Sequence, residues 1–370
     1  MFKNYRIRDY DFKLIIMLIA ITVIGILAIG SAKESVQSKQ ILGFIVGLFI
    51  MIVLSFFDYT FFLRFYWVIY IFNMVLLLLV HFFGENVNGA TRWLNIGFQF
   101  QPSETSKIML ILFFSQFIMK YRENINSLRN IMLMLVLLGL PLFLIYEQPD
   151  LSTSIVIVVI FCVIWYVGGL SYKLIFSVLA AIVPVGIIVF ILILQPDQTL
   201  INPYQQERIL AWLEPEKYAT TTAYQQTNAM MAIGSGQLWG KGLNNNMISS
   251  VKNGNFISEP QTDFIFTIVG EELGFVGGCA VIILLFLIVL ECLSVARKAK
   301  DLAGTCICCG MAALVGFQSF VNIAVATGLF PNTGVPLPFV SYGLTSLVSL
   351  YMGMGFVLNV RLQCIRKYNN

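Results

Sequence analysis

Long apolar runs alternate with short polar breaks along almost the whole chain. Ten runs are long enough to cross a hydrocarbon core of about 30 Å, which takes roughly 20 residues as a helix. They cover 12–32, 40–57, 61–83, 102–120, 130–146, 151–168, 172–194, 262–294, 303–328 and 340–362. One break is long: residues 195–261 are polar and rich in Asn, Gln, Gly and Thr. A gap of that size between spans is either functional or disordered. Its content favours structure, because YQQERILAWL at 204–213 predicts a short helix. There Ile209, Leu210, Trp212 and Leu213 could lie in the membrane interface, with Arg208 at the polar edge. No internal repeat and no soluble linker divides the spans. Residues 1–370 therefore read as a single all-α polytopic membrane domain, with 195–261 as its large extracytoplasmic loop.

Composition supports the pattern. The 370 residues are 58% hydrophobic, 14% aromatic and only 11% charged, with a mean hydropathy of +0.83, which excludes a soluble globular protein. The basic flank KNYRIRDYDFK precedes an apolar run too long for a signal-peptide core, so the first run reads as an uncleaved helix. Alternating the spans from a cytoplasmic N-terminus puts fifteen of the 23 Lys and Arg on the inner side and predicts two cytoplasmic termini. The formal charge of +4 is then an orientation signal and no evidence for nucleic acid. The seven cysteines lie in or beside spans without paired loop spacing, so no disulfide framework is implied. Cys306, Cys308 and Cys309 read as small packing residues on an apolar helix.

Motifs of soluble enzymes fail. GSGQLWGKG at 234–242 resembles a phosphate loop, but Ser235 stands where that motif needs Gly, and Gly242 where it needs Ser or Thr. The single histidine, His81, ends the third run and excludes a Ser-His-Asp triad.

Ionisable residues at membrane depth are more informative, since a charge facing lipid costs at least about 2.5 kcal/mol and such groups usually pair or line a cavity. In NGATRWLNIGFQFQPSETSK, 88–107, Arg92 and Trp93 stand in a polar loop and Pro102 starts a helix. Glu104 lies in its first turn, with Lys107 on the same face, either as a structural ion pair or as ligand contacts. In SEPQTDFIFTIVGEELG, 258–274, a helix starting near Pro260 would put Asp263, Thr267, Gly270 and Gly274 on one stripe. A packing seam explains the small residues but needs no carboxylate at its mouth, which points to a catalytic or binding role for Asp263. EQPDLSTS, 147–154, places Asp150 where it would also cap a helix, and TGLFPNTGVPLPFVSYGLTS, 327–346, is a turn of prolines and glycines suited to line a cavity. Together these residues describe an outward-facing site with one acid, Asp263, among the cations Arg92, Lys107, Arg208 and Lys241. Such a site suits an anionic amphiphile that carries its own leaving group.

The blocks RWLNIGFQFQPSETSK, EQPDLSTS, YQQERILAWLEP, AIGSGQLWGKG, QTDFIFTIVGEELG and TGVPLPFVSYG, with ten spans and a long loop after the seventh, resemble the SEDS family of shape, elongation, division and sporulation proteins. TGVPLPFVSYG and QTDFIF are closer in wording to its RodA branch than to FtsW. The resemblance implies a peptidoglycan glycosyltransferase that polymerises lipid II at the outer face of the cytoplasmic membrane beside a class B penicillin-binding protein. It maps the family's essential acid onto Asp263 and its important tryptophan onto Trp93. Glu104, Lys107, Asp150, Arg208 and Lys241 join Arg92 and Trp93 as expected substrate contacts, with room for a divalent cation, Mg²⁺ or Mn²⁺. A lipid II flippase and an FtsW-type septal polymerase are the alternatives. Two positions depart from the family pattern: Leu344 follows SYG where glycine is usual, and Ser152 also replaces a usual glycine.

Overall fold

Short polar residues at the edges of the apolar runs start the helices. Asp11, Asp58, Ser127, Asp150, Ser171 and Asp301 each accept a backbone N–H two or three residues on, which satisfies one of the donors a helix start leaves open. The computed structural model describes residues 10–364 apart from 88, 89, 96, 98, 196–200, 202, 245–249, 251–253 and 255. The basic residues Lys3, Arg6, Arg8, Arg366 and Lys367, used above to orient the chain, lie outside the described residues.

All ten expected runs are helical, and the protein is an all-α polytopic membrane protein. The helices are α1 (Phe12–Ala32), α2 (Glu34–Phe56), α3 (Tyr59–Arg64), α4 (Tyr66–Phe83), α5 (Pro102–Lys120), α6 (Leu128–Glu147), α7 (Leu151–Val167) and α8 (Tyr172–Ile193). The long loop contributes α9 (Pro203–Leu213) and α10 (Tyr224–Ser235), and α11 (Ile265–Arg297), α12 (Leu302–Ala326) and α13 (Leu344–Cys364) complete the bundle. Among the described residues seven helices, α1, α2, α4, α6, α11, α12 and α13, are long and apolar enough to cross a membrane. The third run is split at Phe65 into α3 and α4. Helices α5, α12 and α13 are buried over most of their surface and form the centre, with α2 laid along α13, and α7 and α11 along α12. The segment expected as a polar loop before α5 is a small antiparallel sheet, β1 (Glu85–Val87), β2 (Ala90–Asn95) and β3 (Gln99–Phe100), in the order β1-β2-β3.

The eighth span differs most from expectation. Helix α11 begins at Ile265 and not near Pro260, so Asp263 belongs to the turn before it. The expected stripe also stops at Gly274, whose φ of 66° and ψ of −164° break the helix in a conformation essentially restricted to glycine. A continuous helix would bond Phe275 N to Glu271 O and Val276 N to Glu272 O. All four groups instead pair with the segment 237–242, which wedges into the break. Lys241 N donates to Glu271 O and Gly242 N to Glu272 O, both at 3.0 Å, while Phe275 N donates to Gln237 O at 2.7 Å and Val276 N to Leu238 O at 3.1 Å. The motif that resembles a phosphate loop is thus a backbone wedge.

The wedge leaves no room at Gly240, where a Cβ would run into Glu272 O, whereas one at Gly242 would meet nothing. Both residues have positive φ, 78° and 88°. Gly242→Ala should therefore cost about 1–2 kcal/mol from backbone strain alone, and Gly240→Ala a further 1–3 kcal/mol from overpacking. Thermal unfolding in detergent of the two variants checks the order.

Candidate active site

One end of the bundle gathers the turn before α11, the loop between α12 and α13, the start of α7, and helix α9. The Asp263 turn is tied to the α12–α13 loop by two bonds and to α12 by a third. Ser341 Oγ donates to Thr262 O at 2.6 Å, Tyr342 N donates to Gln261 O at 2.8 Å, and Asn322 Nδ2 donates to the backbone oxygen of Asp263 at 2.7 Å. The half-buried Asp263 carboxylate faces Gly334, where an added Cβ would lie 3.4 Å from Oδ2. Gly334 has a φ of 73°, so glycine suits the position sterically as well as by size.

Two arginines are fixed beside this turn. Arg92, on β2, donates through Nε to Gln148 O at 3.1 Å and through Nη2 to Pro149 O. Arg208, on α9, donates through Nη1 to Asn332 O at 3.0 Å. Burial raises the Asp263 carboxyl above the usual carboxylate range; Arg208 and then Arg92 oppose the shift, and Asp150 and Glu259 add to it. These five groups share one electrostatic neighbourhood. Asp150 caps α7, with Oδ1 accepting from Thr153 N at 3.2 Å and Oδ2 lying 3.5 Å from Gln101 Nε2. Trp93, next to Arg92 on β2, is half-buried and pairs with Glu85 across the sheet. Trp212 donates through Nε1 to Gly328 O at 3.0 Å and pins α9 onto the protein.

The other expected contacts are tied into the walls. Lys107 Nζ lies 2.7 Å from Glu104 Oε1, the pair being 1% and 5% exposed. Lys241 Nζ lies 2.8 Å from Glu271 Oε1 at the wedge. This explains the two acids inside the apolar run: Glu271 holds the wedge lysine, and Glu272 accepts from Ser31 Oγ at 2.5 Å on α1. Among the described residues no three His, Cys, Asp or Glu group together as metal ligands, and the Asp150 oxygens are engaged at the helix cap. The donors do not form a resident metal cage, and no step below uses one.

The sequence reading assigned no role to Asn322 or Gly334, and noted Ser152 only as a departure from the family pattern. Asn322 carried a signal, being one of two amides, with Gln318, in the apolar α12. Gly334 and Ser152 stood inside the quoted motifs, but their roles depend on which loop lies against them. Ser152 Oγ donates to Thr333 O, a bond that a glycine could not make.

Helices crossing a membrane around an acid flanked by two backbone-anchored arginines define a multi-pass membrane protein with its candidate site at one end of the bundle. The model of the FtsW, RodA and SpoVE cell cycle proteins matches residues 10–364, and the chain belongs to this SEDS family. It is 35% identical over 334 residues to the probable peptidoglycan glycosyltransferase FtsW of Taylorella equigenitalis, covering 87% of each chain. It is 34% identical over 356 residues to the peptidoglycan glycosyltransferase MrdB of Escherichia coli, covering 95% of this chain and 93% of that one. Among solved structures it is similar to a chain of a peptidoglycan synthase complex studied for the coordination of polymerization and crosslinking, at TM-score 0.80 and 28% identity over 96% and 98% of the two chains. The rod shape determining protein RodA of Thermus thermophilus matches at TM-score 0.70 and 26% identity over 95% and 96%.

Breaking a buried ion pair from one side strands a charge, at about 3–5 kcal/mol, whereas replacing both partners by apolar groups is often neutral. Lys107→Met should therefore destabilise by that amount, and Glu104→Leu/Lys107→Met should recover most of it, as read by thermal unfolding.

Proposed function

We propose that the protein is an inverting peptidoglycan glycosyltransferase that polymerises lipid II, a polyprenyl-pyrophosphate-linked disaccharide peptide. It would work at the outer face of the bacterial cytoplasmic membrane, with both termini in the cytoplasm. The observation that carries this reading is the Asp263 carboxyl, raised by burial beside two fixed arginines. The relatives named as peptidoglycan glycosyltransferases support it.

In this reading the ionised Asp263 takes the proton of the acceptor sugar hydroxyl. The freed oxygen attacks the donor's anomeric carbon from the face opposite the leaving group. The bond to pyrophosphate breaks, and polyprenyl pyrophosphate departs with the electron pair. A raised carboxyl is the stronger base, and a general base is worth about 10²- to 10⁴-fold. Arg92 and Arg208 offset the charge that grows on the pyrophosphate. The reaction needs no nucleotide, in keeping with a site outside the cell. A class B penicillin-binding protein would crosslink the strands, in line with the polymerization and crosslinking named for the synthase complex.

The primary role is wall elongation and cell shape. Septal synthesis is the second reading, favoured by the relatives named FtsW. A fluorescent fusion spread along the sidewall supports the first, and one confined to the septum supports the second.

Purified protein given lipid II should make glycan chains, and Asp263→Asn should lower the rate by about 10²- to 10⁴-fold. Flipping of lipid II that survives in that variant, without any chains from the parent protein, would instead support a transporter. The pH profile gives a further expectation. The base works only when ionised, so activity is full above the Asp263 pKa and falls as pH drops through it. Because that pKa is raised, the acid limb should lie above the 3.8 of an unperturbed aspartate, and Arg208→Gln should move it higher still.

A further inference from the structure

Three side chains from three helices hold successive carbonyls of the loop that faces Asp263. Arg208 of α9 donates to Asn332 O at 3.0 Å, Ser152 of α7 to Thr333 O, and Asn322 of α12 to Val335 O at 2.7 Å. Between these anchors stands Gly334, whose N–H donates to Asn332 Oδ1 at 3.3 Å and whose open side faces the Asp263 carboxylate. Asn322 also holds the backbone of the acid itself. The Nδ2 group of Asn322 has two hydrogens, and it donates to Asp263 O and Val335 O, each at 2.7 Å.

The rest of the amide sharpens the point. Asn322 is 1% exposed, and its Oδ1 has no hydrogen-bond partner among the described residues. Both acceptors on the nitrogen side are backbone carbonyls, so a flipped amide would set oxygen against oxygen twice. One orientation is thus locked, and it joins the two strands of chain that form the two sides of the acid's niche.

We infer that Asn322 is a positioning residue for Asp263, fixing the acid's backbone and the Gly334 loop at one separation so that the carboxylate stays aimed at the acceptor hydroxyl. It touches no substrate. The inference rests on the proposed role of Asp263 as the base. A misplacement of about 1 Å in a reacting group can lower the rate about 10²-fold without changing how substrate binds.

Asn359 supplies a matched control. It is as deeply buried, donates through Nδ2 to Ser55 O at 2.7 Å and accepts from Tyr59 N at 2.9 Å, between α2, α3 and α13 and away from the Asp263 turn. The experiment uses the purified full-length protein with lipid II as substrate, and reads kcat, KM and the melting temperature for Asn322→Ala, Asn322→Asp, Asn359→Ala and Asp263→Asn. Expected are a fall in kcat of about 10²-fold for both Asn322 variants with KM within about twofold, and a comparable melting loss but kcat within about threefold for Asn359→Ala. The isosteric Asn322→Asp, which can donate to at most one of the two carbonyls, carries the test if the alanine variant yields too little folded protein. The inference is overturned if the folded Asn322 variants keep kcat within threefold, if their loss lies in KM, or if Asn359→Ala loses as much kcat. Retained activity in Asp263→Asn overturns the role of the base itself, which separates the two failures.

Discussion

Inside a bilayer no water is available to satisfy a backbone N–H or C=O, so every irregular stretch of chain must find its partners within the protein. That constraint shapes both irregular features at the working end of this molecule. The break in α11 opens two rungs of the helix, and the segment 237–242 closes all four of the freed groups with its own backbone. The α12–α13 loop has no ladder of its own, and side chains from α7, α9 and α12 take its carbonyls one after another. Helix association gains little from burying apolar surface in lipid, so such polar ties and close glycine contacts carry much of the specificity.

The same ties set the electrostatics. A carboxylate in this position would ordinarily be expelled or neutralised, since desolvation disfavours its charge. Arg208 and Arg92 counter that pull, yet each also donates to backbone carbonyls, at Asn332 and at Gln148 and Pro149. Anchored cations hold their distance from the acid whether or not a ligand is present. A lysine on a free stem would collapse onto the nearest carboxylate, and Lys107 and Lys241 are both found on one. The site can therefore keep a raised, ionisable acid and still present positive charge to an anionic leaving group.

The ten helical runs were readable because periodicity and length are local properties, and the lone acid was readable because charge in an apolar run is rare. The helix start at Ile265 was not. Pro260 is a good helix opener by itself, but the bonds from Ser341, Tyr342 and Asn322 hold residues 261–263 in a turn, and those partners lie about 60 to 80 positions away. The break at Gly274 was hidden for the same reason, because glycine permits it but only the docking of 237–242 demands it. Lys241 read as a cation near the site because its partner, Glu271, lies across that wedge. Sequence pattern located the elements and the chemistry, while pairing between distant loops decided which charges face the site.

The two departures from the family pattern follow the same logic. Leu344 opens α13 beside α2 and packs over Gly43, where an added Cβ would lie 3.5 Å from the leucine Cγ, an ordinary contact distance. The larger residue on one helix is matched by the smallest on the other, and the preceding Gly343 N still donates to Gln40 Oε1 at 3.2 Å. Ser152 adds a bond to Thr333 O where glycine would add none. It therefore tightens the loop one carbonyl on from the bond made by Arg208. Neither change alters the Asp263 turn, whose bonds come from Ser341, Tyr342 and Asn322. A scaffold that fixes its Asp263 turn through backbone carbonyls is insensitive to side-chain drift at neighbouring positions, because the acceptors persist whichever residue carries them.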